Sequence, residues 1–122
     1  MRRAVTAVAL AILIAPAAVV AARAPSVAER TAITRALPAF LRAIPAECVW
    51  FDIRVSKRAE FASVQPRFLV TRAANDRCVK FASDGSFVLR RRGTRWRVVY
   101  NGSELPPCSR GFPKDLGPCS AG

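Results

Sequence analysis

A chain of 122 residues has room for one small domain and one core. It carries 20 basic residues against 8 acidic ones, a net charge of +12, four cysteines and no histidine. The missing histidine removes Ser-His-Asp and Cys-His catalysis and any His-based metal site, and there is no Gly-rich phosphate loop. Arginine outnumbers lysine 17 to 3. A GC-rich genome alone could produce that bias, so the positions of the arginines matter more than their number.

In chain order, Arg2 and Arg3 form a positive n-region, and the stretch from Ala4 to Ala22 is uncharged. This reads as a signal peptide. Small residues at −3 and −1 favour cutting after Ala21 or Ala22, because cutting after Ala24 would place Pro25 at +1. The expected organisation is a signal peptide over 1–24, cleaved near 21–24, and one α+β domain over 25–122. The competing reading is an uncleaved anchor, since nineteen uncharged residues just span a bilayer; Pro16 and the alanine content weigh against it. The expected location is secreted or extracytoplasmic, at the cell envelope. Removing 1–24 leaves 98 residues with a net charge of +9.

Ser26-Val27-Ala28-Glu29 matches a capping box. An apolar stripe at Ile33, Leu37, Phe40 and Ile44 then follows helical spacing, so an amphipathic helix is expected, kinked or split at Pro38 and ended by Pro45. After Pro45 the period falls to 2. Val49, Phe51, Ile53 and Val55 alternate with Trp50, Asp52, Arg54 and Ser56, a half-buried strand. A weaker strand is expected over 61–70, with Pro66 marking an edge or a bulge. A loop over 71–77, a short extended piece around 78–82 and an Asp84-Gly85 turn lead to two strong strands at 86–92 and 95–101. From Gly102 onward proline and glycine are frequent, so an irregular tail is expected. The fold class is α+β: an N-terminal amphipathic helix packed on an antiparallel sheet of about four strands, with a disulfide-stabilised tail.

Cys48, Cys78, Cys108 and Cys119 all lie in the mature part, and an even count in an exported chain of this size reads as two disulfides. Of three possible pairings, Cys108–Cys119 would close the tail and Cys48–Cys78 would tie the first strand to a later loop. Each would contribute about 3–4 kcal/mol by loop entropy. Zinc is the rival reading. No C-x2-C pair and no histidine supports it.

The most informative stretch is Phe87 to Tyr100. A type II′ turn at Gly93-Thr94 would set Arg92 opposite Arg95, Arg91 opposite Trp96, Arg90 opposite Arg97, Leu89 opposite Val98 and Phe87 opposite Tyr100. One face then holds Phe87, Leu89, Trp96, Val98 and Tyr100, with Arg91 able to lie over Trp96. The other gathers Arg90, Arg92, Arg95 and Arg97, with Val88 and Val99 further from the turn. Like charges directly opposed in a sheet cost a few tenths to about 1 kcal/mol each. The four arginines are therefore the candidate anion-binding residues, for phosphate or carboxylate polymers that guanidinium forks hold bidentately. The competing reading is a solvated hairpin tip whose charges keep the edge soluble.

Paired-carboxylate hydrolysis would need two of Glu29, Glu47, Asp52, Glu60, Asp76, Asp84, Glu104 and Asp115 to converge. Glu29 and Asp84 already have capping and turn roles. The expectation is a secreted, non-enzymatic binding module without cofactor or metal. Its partner would be an anionic envelope polymer or lipid headgroups, and no intracellular nucleic-acid role is expected. Two alternatives are a protein-binding or inhibitory domain acting through the Cys108–Cys119 loop and a small-ligand pocket between helix and sheet.

Asp84-Gly85, Val88-Leu89-Arg90-Arg91, Trp96-Arg97-Val98-Val99-Tyr100, Gly102-Ser103, Pro107-Cys108-Ser109, Pro113, Asp115-Leu116 and Cys119 together give the C-terminal half the look of a group. With Ile33 to Pro38 and Ile53 to Ser56, they make most of the mature chain resemble small secreted, disulfide-containing, uncharacterised proteins of actinobacteria. The resemblance implies export and a compact disulfide domain, and transfers no active-site residues.

Overall fold

The computed structural model describes residues 8, 9, 11, 21–58, 60–69, 77–81, 85–108 and 111–120. The expected signal segment lies outside the described residues up to position 20, apart from 8, 9 and 11. So do residues 71–76 of the expected loop and Asp84 of the Asp84-Gly85 turn.

Helix α1 (Val27–Ala36) starts at the capping box. The Glu29 N–H donates to Ser26 Oγ at 3.1 Å, and the Ser26 N–H donates to the Glu29 carboxylate at 3.0 Å. Leu37 is extended (φ −68°, ψ 156°), and α2 (Ala39–Arg42) begins only after Pro38. This break corrects the expected stripe. Ile33 and Leu37 are buried, but Phe40 is 56% exposed and Leu41, at 1%, takes its place. An unbroken helix would carry residue 40 onto the face of Ile33 and Leu37; extended backbone at 37–38 changes the phase and turns residue 41 inward. Among the described residues no helix is long and apolar enough to cross a membrane.

Four strands, β1 (Val49–Val55), β2 (Phe61–Phe68), β3 (Ser86–Arg92) and β4 (Arg95–Gly102), pair antiparallel in chain order. The N-terminal helix packs on this sheet as expected. Pro66 sits in an inner strand, yet β2 pairs with β3 only from Phe61 to Val64, so at Pro66 the sheet has a neighbour on the β1 side alone. The Leu69 N–H donates to the Cys48 carbonyl, so the alternation of the antiparallel ladder points the residue-66 nitrogen away from β1, and the missing N–H interrupts no ladder. The piece expected as extended around 78–82 is a turn at 77–80, where the Phe81 N–H donates to the Cys78 carbonyl at 3.0 Å. Its disulfide to Cys48 folds the chain back there.

One face of the sheet is covered throughout its core and the other only in part. The inner face packs Ile53, Val55, Ala62, Val64, Phe87, Leu89 and Trp96 against Ile33, Leu37 and Leu41. The outer face carries Phe61 and Val88, both buried. The Phe112 ring meets Phe61 edge-on at 6.1 Å, so the C-terminal tail supplies this second cover. The Cys108–Cys119 disulfide closes the tail, a short 3₁₀ turn (Lys114–Leu116) lies within it, and the Cys108 N–H donates to the Ser120 carbonyl at 2.9 Å. Both disulfides follow the expected pairing, with Cα separations of 5.0 Å for Cys48–Cys78 and 5.1 Å for Cys108–Cys119.

Candidate anion-binding site

The basic hairpin is built by its turn. Gly93 takes φ +61°, and no non-glycine described residue has positive φ, so Thr94 stays negative, as a type II′ turn requires. Arg92 opposes Arg95, Arg91 opposes Trp96, Arg90 opposes Arg97 and Leu89 opposes Val98, as the turn predicts. Beyond that point the register slips by one. A bulge between Val88 and Leu89 sets Val88 opposite Tyr100 and Phe87 opposite Asn101, correcting the expected Phe87–Tyr100 pair. An extra residue in one strand moves everything after it to the other face. Tyr100 thus leaves the core face, and its hydroxyl donates to the Glu104 carbonyl at 3.0 Å. Val88 lies on the arginine face further from the turn, as expected, and is buried there.

Arg90, Arg92, Arg95 and Arg97 all lie exposed on one face of the hairpin in two opposed pairs. Among the described residues none of them enters an ion pair. Arg90 stacks on the Phe61 ring, 5.4 Å from its centroid, which holds one guanidinium against the sheet. Arg91 points to the opposite face. It lies over Trp96 at 5.8 Å and pairs with Glu60 at 3.1 Å.

Topology adds residues that sequence reasoning missed. In a meander the first and third connections fall at the same end, so the β1–β2 turn lies beside the arginine hairpin. The Arg91 N–H donates to the Glu60 carbonyl at 2.8 Å across that join. Exposed Lys57 and Arg58 occupy this turn. Asp115 accepts from Ser56 Oγ and from the Lys57 N–H, both at 2.7 Å, which brings exposed Lys114 to the same end. These positions are more than fifty residues apart, and no local pattern links them.

The acidic residues are largely committed elsewhere. Glu47 pairs with Arg77, and Asp52 lies between Arg54 and Arg67 at 3.5 and 3.7 Å. Glu29 accepts hydrogen bonds from Arg23 Nη1 and Nη2 at 2.6 and 2.7 Å. The Arg23 hydrogen bonds hold the Glu29 carboxyl well below the usual range, at about 2, with the Ser26 bonds adding to the shift and partial burial opposing it. Asp76 and Asp84 lie outside the described residues.

No family model, curated protein or solved structure matches this chain.

Proposed function

We propose that this protein is a secreted, non-enzymatic binding module that engages an anionic polymer of the cell envelope through the basic end of its sheet. One observation carries the reading. Four exposed arginines oppose one another without an ion pair among the described residues, while Glu60 and Asp115 at the same end serve internal partners. Unrelieved like-charge pairs cost stability, and an anionic polymer would relieve several of them at once. Two disulfides and the resemblance to small secreted actinobacterial proteins support an oxidising compartment. The tail loop is less suited to be the binding element, because Phe112 is spent on covering Phe61.

The test is retention of the oxidised protein on isolated envelope across a salt series, beside the R90Q/R92Q/R95Q/R97Q variant. Steep loss of wild-type retention with salt, and weak, salt-flat retention of the variant, are expected. Equal retention of the two proteins would leave the arginines as a solvated hairpin tip.

A further inference from the structure

We infer a second, separate site: the groove between α1, α2 and the outer edge of β1 binds an amphipathic carboxylate, a fatty-acid-like anion with an apolar chain. The groove has a volume of about 480 Å³, within the range of small-molecule sites. Its floor is apolar, made by Leu41, Ile44, Val49 and Phe51. Its polar groups are of one kind. Arg30, Arg35 and Arg42 supply its charge, Thr31 and Thr34 line it beside them, and no carboxylate does.

Two of these guanidiniums are held in place by backbone. Arg30 reaches around the sheet edge, donates to the Phe51 carbonyl at 2.9 Å and stacks on Trp50 at 4.5 Å from the ring centroid. Arg42 donates through Nε to the Leu37 carbonyl at 3.1 Å. A guanidinium has five donors, so each arginine keeps N–H groups for an incoming anion while its own freedom is already restricted. Trp50 also lines the groove and is 55% exposed. Apolar floor and cationic rim together match a ligand with one charged head and a hydrocarbon body. A fully charged polymer would leave the floor unused.

This inference does not rest on the hairpin reading, and the test separates them. The oxidised protein is titrated calorimetrically with sodium decanoate below its micelle-forming concentration. One saturable site per chain is expected, with affinity falling at least about tenfold in R35Q/R42Q, since the two guanidiniums removed include at least one charge-assisted contact to the carboxylate. T31F keeps every charge and fills the groove, and it should abolish binding. The R90Q/R92Q/R95Q/R97Q protein should bind as wild type does. 1-Decanol, which has the same length and no charge, should bind more weakly than decanoate. Absence of a saturable site, undiminished binding by T31F, or equal affinity for decanol overturns the inference. So does uptake by anionic phosphatidylglycerol vesicles alone, which would make the groove a membrane contact.

Discussion

At the scale of single residues, Glu29 does more than the capping box implied. Its carboxylate caps α1 and also accepts hydrogen bonds from Arg23 Nη1 and Nη2, at 18% side-chain exposure. Because its folded pKa, about 2, lies below the ordinary 4.5, the stabilisation is fully present above pH 4.5 and is lost as pH falls toward 2. Glu29→Gln should therefore lower stability at neutral pH by about 1–2 kcal/mol, discounted because Arg23 is largely solvated. Urea unfolding from pH 7 to pH 2 checks this: the wild-type advantage should shrink across the acid limb, and an advantage independent of pH would contradict the linkage. Phe40 makes the complementary point. Its spacing places it on the apolar stripe, and only the phase change at Leu37-Pro38 turns it out to water.

At the scale of elements, the hairpin trades stability for charge. Arg90 opposes Arg97 and Arg92 opposes Arg95, so Arg97→Thr should stabilise the fold by about 0.2–1 kcal/mol, through relief of repulsion and a good strand former. A raised melting temperature together with reduced envelope retention is the expected pair of results. A lowered melting temperature would mean that Arg97 supports the fold. The tail is the other element with a measurable role. Replacing Cys108 and Cys119 together by serine should cost about 3 kcal/mol, and should uncover Phe61 and Val88 as the tail loosens. Denaturant unfolding reads the first effect and binding of a hydrophobic dye the second.

At the scale of the whole molecule, the sheet extends beyond its four strands. Arg23 pairs its N–H with the Val55 carbonyl at 2.9 Å and its carbonyl with the Val55 N–H at 2.8 Å, while its side chain holds Glu29. A protein beginning at Ala22 or Arg23 should therefore unfold at higher urea concentration than one beginning at Pro25. Urea unfolding of the two forms side by side checks this, and equal midpoints would contradict it. Much of this architecture was legible in order. The capping box at Ser26 and Glu29, the split at Pro38, the period-2 run from Val49 and the Gly93 turn are local signals, each set by interactions within a few residues. So α1, β1 and the arginine hairpin near its turn follow from sequence alone, whereas the pairing of the four cysteines, one of three open to the sequence, is decided by the fold. Contacts between distant segments decided the rest. The slip of register beyond Leu89 depends on how β4 packs and not on the turn. The gathering of Lys57, Arg58 and Lys114 beside the arginines depends on which turns a meander brings to one end. The groove beside Trp50 exists because Arg30, on a helix, bends around the edge of a strand twenty-one residues later to reach Phe51. Local preferences operate within a few residues of chain, whereas these features are set by packing, which no short stretch encodes by itself.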